Sequence, residues 1–264
     1  MEQLIILAGV FFVVSTLFSM VGMGGGILYV PILLFAGYNM QTAPGISLIL
    51  ILGTSLAALR NFSKNNLVDW KLAFIIDPPT DIMAFVGGYY SSSVPDNILK
   101  GILAGILIIA GILMIKQRNP NGKKIPKGTF GYWHRSFNGE EYVVNLPLVL
   151  SATALIGILS GMLGITGGII KLPIMVLLCG VPMGIAVATS TVMVAVTALC
   201  GLLGHATNGT VDWKTGLILA VAAVIAGTLG SKISLNMDKA KLKKVFGIVV
   251  LLVACKIIYS LIWH

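Results

Sequence analysis

Apolar residues fill most of this chain in long runs that polar residues, glycine and proline interrupt only briefly. Ten runs can be separated, five in each half of the sequence. Several approach or exceed about 18 residues, the length at which an apolar helix can span a lipid bilayer. The pattern therefore predicts an all-α polytopic membrane protein. The runs cover about residues 4–21, 26–37, 43–59, 72–90, 98–115, 146–163, 168–180, 185–204, 215–231 and 245–262.

The second run of each half is too short to cross a bilayer upright. Residues 26–37 and 168–180 each correspond to about 18 Å of helix, against a hydrocarbon core of about 30 Å. A proline lies inside each run, and glycines cluster immediately before it. We expect each to be either a short, tilted crossing or a half-helix that turns back.

The two halves of the sequence repeat one another. Residues 17–31 return as residues 159–173, 142 positions later, and the register then becomes 143. Paired glycine-interrupted helices in an apolar chain are typical of transporters whose site lies between two repeats. The matched positions further along are Ser47 with Ser190, Thr54 with Thr197, and the Val-Asp-Trp-Lys motif at 68–71 with its copy at 211–214.

Basic residues are concentrated in three connections, which indicates how the repeats are oriented. Residues 60–71, 116–141 and 232–244 hold 14 of the 18 Lys and Arg residues. Cytoplasmic loops carry such an excess. If the short runs cross the bilayer, the three connections share one side and the repeats are inverted. If they turn back, the repeats are parallel and 232–244 lies outside, so the charge favours inverted repeats with external termini.

The same connections define the predicted domains. We expect a first transmembrane repeat over residues 1–115, a cytoplasmic linker over 116–145 and a second transmembrane repeat over 146–264. Residues 117–145 mix charged residues with prolines and glycines, which predicts a solvated tether with little regular structure.

Composition excludes several classes of protein. Only 10% of the residues are charged, against about 25% in soluble domains. The net charge of +9 lies in loops, so no nucleic-acid partner is predicted. Cys179, Cys200 and Cys255 stand alone, which predicts neither disulfides nor a metal site. No P-loop or H-E-x-x-H motif is present, so we expect neither an enzyme nor a cofactor.

The glycine clusters before the two short runs form the first candidate site. A helix broken within lipid is tolerated only where protein or a water-lined cavity satisfies its backbone. The helix that follows begins with free N–H groups, which favour an anion. The alternative is that the glycines serve close helix packing. The substrate-binding candidates in these clusters are Gly24, Gly25, Gly26, Thr166, Gly167 and Gly168.

Hydroxyl groups and one lysine extend this candidate site. Ser47, Thr189 and Ser190 lie near the start of the third run of each half. They either donate hydrogen bonds to an oxyanion or bond their own i−4 carbonyls. Lys171, matched by Tyr29, lies about one turn into the second short run. It either contacts the anion or extends to the membrane interface.

Two acids lie within the fourth run of the first half. Asp77 and Asp81 flank two prolines, and their matched positions in the second half are apolar. Intramembrane acids indicate ion coupling or a proton relay, so both are proton-coupling candidates. The alternative is a structural ion pair with Arg60 or Lys71.

The Val-Asp-Trp-Lys motif is best interpreted as structural. An Asp before Trp at the start of a helix fits an N-cap followed by an interfacial aromatic anchor. We therefore expect Asp69 and Asp212 to cap helices.

In combination, the paired glycine-broken segments, the Ser/Thr step and the Val-Asp-Trp-Lys motif resemble the TauE/SafE family of sulfite and organosulfonate transporters. The resemblance covers both repeats and leaves out the linker. It implies a secondary transporter, in the exporting direction, for small sulfur-containing anions such as sulfite or sulfoacetate. Two positions depart from the common pattern of the family: Thr166 stands where a glycine is usual, and Lys171 where an apolar residue is usual. Both departures bear on which anion is the substrate.

The resemblance also implies a multi-pass protein of a bacterial or archaeal inner membrane. Its partners are then the lipid bilayer and the anion, and a homodimer stays open. Two other functions also stay open, an anion channel and a membrane scaffold or assembly protein without transport.

Overall fold

The computed structural model describes residues 2–22, 26–115, 129–165, 167–235 and 239–262. These residues form eleven α-helices and one β-hairpin. The helices of the first half are α1 (Glu2–Met20), α2 (Gly26–Phe35), α3 (Ala43–Lys64), α4 (Trp70–Ile76), α5 (Pro78–Tyr90) and α6 (Asp96–Ile115). The hairpin strands are β1 (Tyr132–Phe137) and β2 (Glu140–Asn145). The helices of the second half are α7 (Leu146–Leu163), α8 (Gly168–Pro173), α9 (Met183–Thr207), α10 (Trp213–Ser234) and α11 (Lys239–Ile262).

The helices follow the apolar runs, and proline accounts for the two places where a run is divided. The fourth run of the first half breaks at Asp77, because Pro78 cannot donate a backbone hydrogen bond and begins a new helix. After Pro173, α8 continues as a π-helical turn, Ile174–Leu178. Both divisions lie beside the candidate site.

Five helices within the described ranges are long and apolar enough to cross a membrane. They are α1, α3, α7, α9 and α10. The prediction of a polytopic, helical membrane protein is therefore confirmed.

The two halves interlock rather than stand side by side. Helix α10 of the second half packs against both α1 and α3 of the first half. Reciprocally, α5 of the first half packs against both α7 and α9 of the second. Each half therefore inserts its fourth segment between the first and third helices of the other.

The homologous helices α3 and α9 pack against each other and run in opposite directions. A Cβ placed on Gly45, at the start of α3, would lie 3.2 Å from Val211, which follows α9. At the other end, the Asp69 N–H, which follows α3, donates to the Thr189 hydroxyl near the start of α9 (3.0 Å). Each helix thus begins beside the end of the other.

Glycines permit the cross-half contacts. A Cβ on Gly87 would lie 2.2 Å from the Ile158 carbonyl oxygen, and one on Gly230 would lie 2.1 Å from that of Thr16. These two contacts occupy matched positions in the two repeats. Backbones that approach this closely leave room for glycine alone, as in other tightly packed membrane helices.

The prediction of an irregular linker was wrong for residues 132–145. Strands β1 and β2 pair antiparallel from Tyr132–Asn145 to Phe137–Glu140. Asn138 and Gly139 connect them with φ of 50° and 79°, the conformation that Asn-Gly favours in two-residue hairpins. The remaining part of the linker, 116–128, lies outside the described residues.

The hairpin docks on Asp69 and joins the two halves at one end of the helices. The Asp69 side chain is fully buried and accepts two hydrogen bonds from Arg135 (2.9 and 3.0 Å). It also accepts from the Tyr142 hydroxyl and, as the predicted N-cap of α4, from the Leu72 N–H (3.1 Å). From the same strand as Tyr142, the Val143 N–H donates to the Cys179 carbonyl of the second half (3.2 Å).

The electrostatics of this contact favour an ionised Asp69. Burial raises the pKa of Asp69, but hydrogen bonds from Arg135, Tyr142 and the Leu72 N–H together hold that pKa below its usual value of 3.8. A lowered pKa in the folded state stabilises the fold above the unfolded-state pKa. That contribution is lost as the pH falls through the folded-state pKa.

Asp69→Asn should lower the free energy of unfolding by about 3 kcal/mol at neutral pH, because Arg135 and Tyr142 lose a charged partner. Asn still caps a helix about as well as Asp, so the ion pair alone is tested.

The matched control is Asp212→Asn, since Asp212 also caps its helix through the Thr215 N–H. Its loss should stay below about 0.5 kcal/mol. Denaturant unfolding in detergent measures both, and equal losses would contradict the assignment. The gap should begin to shrink as the pH falls below the usual Asp pKa and should close below the folded-state pKa of Asp69.

Candidate functional site

The two glycine breaks are held by a reciprocal pair of hydrogen bonds. The Ser47 hydroxyl of the first half donates to the Gly164 carbonyl of the second half (2.6 Å). The Ser190 hydroxyl of the second half donates to the Gly22 carbonyl of the first half (2.7 Å). Both serines and both glycines are matched positions in the repeat, so each half supports the break of the other.

Both of these glycines are required by the backbone. Gly22 and Gly164 have φ of 71° and 62°, values that side chains rarely tolerate. A Cβ on Gly22 would lie 2.4 Å from the Val187 carbonyl oxygen, and one on Gly164 would lie 2.2 Å from Pro44 Cα. The breaks are therefore points of direct backbone contact between the halves.

The hydroxyl candidates are occupied by protein groups. Ser47 and Ser190 use their protons on carbonyls across the interface, and Ser190 also lies 2.9 Å from the Val187 carbonyl. Thr189 accepts from the Asp69 N–H, which follows α3. The sequence left open that these hydroxyl groups bond the carbonyl four residues earlier in their own helix, but Ser47 bonds Gly164 of the other half instead. Donation from these three side chains to an anion stays a prediction.

The described glycines of the second break lie beside Lys171. Gly167 precedes α8, and Gly168 begins it. A Cβ on Gly167 would lie 3.3 Å from Lys171 Cε. Gly167 also lines a small, mainly apolar cavity that includes Ile27, from the start of α2, and Ser160. Gly26 begins α2, whereas the predicted site residues Gly24, Gly25 and Thr166 lie outside the described residues.

Lys171 is buried in the protein interior and ion-paired. Its side chain is 1% exposed, so it does not extend to the interface. The ammonium group donates to Asp77 Oδ1 and to the Thr197 hydroxyl, the latter at 2.9 Å. Of the two interpretations of Lys171 from the sequence, extension to the membrane interface is therefore excluded. Because Lys171 lies beside the second break, it stays a candidate for contact with the anion.

The two acids belong to the same cluster. Thr197 donates in turn to Asp81 Oδ1 (2.8 Å), so hydrogen bonds connect Asp77, Lys171, Thr197 and Asp81 in one chain. The alternative of an ion pair was right for Asp77 in kind and wrong in the partner, which is Lys171, 94 positions away, and not Arg60 or Lys71.

Polar capacity within this cluster is left unused. Asp77 Oδ2 and the Thr80 hydroxyl oxygen are buried and have no hydrogen-bond partner among the described residues. An unsatisfied buried polar atom is costly and in native proteins marks a site for water, an ion or chemistry. The cluster holds one basic and two acidic side chains, so it lacks one positive charge when all three are ionised.

The matching place in the first half is neutral. Tyr29, which matches Lys171, hydrogen-bonds Ser15 (2.5 Å) and Thr54 (3.3 Å). Thr54 matches Thr197. The threonine hydroxyl at this position therefore contacts the tyrosine hydroxyl of Tyr29 in the first half and the ammonium group of Lys171 in the second. The ionisable cluster, which combines acids of the first half with Lys171 and Thr197 of the second, thus has no ionisable counterpart at the symmetry-related place.

Sequence reasoning missed Thr197 and Thr80 as members of the cluster. Thr197 carried a signal, since it matches Thr54 in the repeat. Thr80, between the two acids in sequence, carried none that separates it from an ordinary helical threonine.

The family model for the sulfite exporter TauE/SafE matches residues 7–257. The chain belongs to the TauE/SafE family. The resemblance inferred from its motifs is therefore confirmed, and the match extends over the linker as well as both repeats.

The relatives of this TauE/SafE member come from bacteria and archaea. A probable membrane transporter protein of Bacillus subtilis, YunE, is 29% identical, with 94% of each chain covered. One from Methanocaldococcus jannaschii is 26% identical, over 91% of this chain and 89% of the relative. YfcA of Escherichia coli K12, likewise a probable membrane transporter, is 24% identical over 97% and 91%. No solved structure matches the chain. These relatives are named as transporters and not as enzymes.

Proposed function

We propose that this TauE/SafE family member is a secondary transporter that exports small sulfur-containing anions, such as sulfite or sulfoacetate, across the inner membrane. The observation that carries the proposal is Lys171. A buried ammonium group beside a helix break, at the meeting point of two repeats, offers an anion a positive charge inside the membrane. Buried charges of this kind mark substrate or ion pathways.

The proposed anion site lies between the two breaks. An anion that loses its water in low dielectric needs fixed donors in exchange. Lys171 supplies charge, and the backbone around Gly26, Gly167 and Gly168 supplies close approach. Gly24, Gly25 and Thr166 complete the proposed site by their place in the sequence. Ser47, Ser190 and Thr189 carry hydroxyl groups on the surrounding helices, and donation from Ser47 or Ser190 to the anion requires that serine to leave the carbonyl it now holds.

We infer that the two repeats are inverted in the membrane. When two copies are related by a two-fold axis, each contact between them occurs twice, with the matched residues exchanged. The contacts between these halves follow that rule. Because α3 and α9 are homologous and antiparallel, that axis lies across them rather than along them. Since both helices are long enough to span the bilayer, the axis lies in the membrane plane, as in many transporters.

Single-cysteine labelling tests the inversion. Asn65 and Asn208 are matched positions that follow α3 and α9. In a background without the native cysteines, a membrane-impermeant maleimide should label Asn65→Cys from the cytoplasmic side and Asn208→Cys from outside. Labelling of both from the same side would contradict the inverted arrangement.

Asp77 and Asp81 are proposed to couple transport to protons. Both are acidic, at least partly buried and connected through hydrogen bonds to the only cation at the proposed site within the described residues. An ionised acid repels a substrate anion, so these carboxyl groups serve coupling better than direct binding.

Anion binding and flux test the proposal directly. We expect at least one of sulfite, sulfoacetate, taurine and thiosulfate to stabilise the purified protein, by about 2.7 kcal/mol at 100 times its Kd. In proteoliposomes, its flux should saturate and respond to a pH gradient. Flux without saturation or coupling would favour a channel, and no flux of any anion would favour a scaffold.

A further inference from the structure

We infer that the substrate anion and Asp77 compete for Lys171, so that one proton is bound at Asp77 for each anion that Lys171 takes up. The inference rests on the proposed function and adds its coupling mechanism. Without substrate, Asp77 occupies the lysine as an internal anion. When the external anion replaces it, Asp77 accepts a proton and the net charge of the site is unchanged.

The contacts of Lys171 make this exchange stereochemically simple. Its ammonium group donates to Asp77 and Thr197, and an ammonium group has three donors. Within the described residues, the remaining donor has no assigned acceptor, and the Lys171 stem runs beside Gly167 of the break. An anion at the break is therefore within reach of the group that now holds Asp77.

Asp77 can accept the proton without rearrangement. One of its carboxylate oxygens faces Lys171, and the other is buried and unpartnered. An ionised Asp77 without Lys171 would be an unpaired charge in the interior, which costs several kcal/mol. Protonation removes that cost, so anion binding to Lys171 and proton binding to Asp77 stabilise each other.

The hydrogen-bond chain provides the path. Asp81 is only partly buried, so it can take a proton from water. Once protonated, Asp81 donates to the Thr197 hydroxyl, which now donates to Asp81 and has to turn its proton towards Lys171. Lys171 gives a proton to Asp77 and takes the Thr197 proton in its place, while Thr197 takes the proton of Asp81. The lysine remains an ammonium ion, Asp81 returns to a carboxylate, and the net change is one proton on Asp77.

Few other titratable groups face the pair. α5 contributes Asp77 and Asp81, α8 contributes Lys171, and α9 contributes Cys200, with His205 more than a turn farther on. α7 has no titratable residue along its length, and α4 has only Lys71, exposed at its start. α6 packs against α8 and carries Asp96 and Lys100, both more than a turn before Ile106, which lines a cavity with Ile170 of α8. Tyr89 and Tyr90 lie at the far end of α5. Asp77 is therefore the group whose protonation state depends most directly on what Lys171 binds.

Proton uptake on anion binding is the measurement that tests the exchange. The purified protein is titrated, in weakly buffered solution with a pH indicator, with whichever of sulfite, sulfoacetate, taurine and thiosulfate stabilises it most. Wild type should take up about one proton per bound anion at alkaline pH, and its affinity should fall about tenfold per pH unit there. Asp77→Asn should bind the anion with no such uptake and no such slope. Subtracting its titration also removes any protonation of the anion itself.

Two further variants keep the test decisive. Tyr29→Phe, at the matched neutral position, should keep wild-type proton uptake. The double variant Lys171→Gln/Asp77→Asn removes both charges of the buried pair, so it should fold, and it should bind the anion at least a hundredfold more weakly, without proton uptake.

The outcomes separate this mechanism from the proposed function. Anion binding by wild type without proton uptake would overturn the exchange and leave anion transport in place. The same result follows if Asp77→Asn keeps the full uptake and pH slope. If none of the four anions binds wild type, the proposed function and the exchange fail together.

Discussion

Gly164→Ala should lower the free energy of unfolding by about 4 kcal/mol or more, a loss larger than most single substitutions cause. Two effects add at this position. The residue has φ of 62°, which costs an L side chain about 1–2 kcal/mol. Its new Cβ would also lie 2.2 Å from Pro44 Cα, so the second break would have to move away from the start of α3, and Ser47 would lose the Gly164 carbonyl.

Gly180→Ala is the matched control for this prediction. Gly180 has φ of 70°, and a Cβ there would meet nothing within 4 Å. It should therefore show the dihedral cost alone, about 1–2 kcal/mol. Gly22→Ala, in the first break, should behave like Gly164→Ala. Denaturant unfolding in detergent compares the three, and a loss at Gly164 no larger than at Gly180 would contradict the close contact.

Lys171→Met should abolish transport and lower the free energy of unfolding by about 3–5 kcal/mol, the cost of leaving a buried charge without its partner. The side chain keeps most of its length and loses its charge, so Asp77 is the group affected. Reconstituted flux and denaturant unfolding measure the two effects. Transport at the wild-type rate would remove Lys171 from the mechanism.

A second substitution separates the loss of stability from the loss of function. Lys171→Met/Asp77→Ala has no buried charge from the pair and takes at position 77 the residue type found at the matched position 220. Most of the stability should return, since apolar replacements of buried ion pairs are often neutral, but transport should not. Tyr29→Phe, in the neutral counterpart, should cost only about 1–2 kcal/mol for its two hydrogen bonds.

Periodicity and self-similarity predicted the parts of this fold that local physics controls. The lengths of the apolar runs predicted the helices. Asp69 and Asp212 were recognisable as helix caps because a cap bonds a backbone N–H only three residues away. The hairpin carried the Asn138-Gly139 signal between two strand-forming segments. It was missed because the charge, proline and glycine of the whole linker outweighed that signal.

The partners of buried polar groups could not be predicted in the same way. Lys171 meets Asp77 because α5 is inserted between α7 and α9 of the other half, and nothing in either local sequence encodes that insertion. Ser47 and Ser190 were recognisable as matched hydroxyls. That each supports the opposite break depends on the antiparallel packing of α3 and α9. Long-range pairing of this kind is a property of the assembled helices.

The interlocking of the halves also determines which parts of the protein can move as units. The helices that hold one another form two mixed groups, α1 with α3 and α10, and α7 with α9 and α5. The contact of α3 with α9 is the seam between them, and the hydrogen bonds from Ser47 to Gly164 and from Ser190 to Gly22 cross it. A rocking motion that exposes the site to alternate sides would therefore open this seam. The moving bodies would be assembled from both repeats, and neither would correspond to a continuous half of the chain.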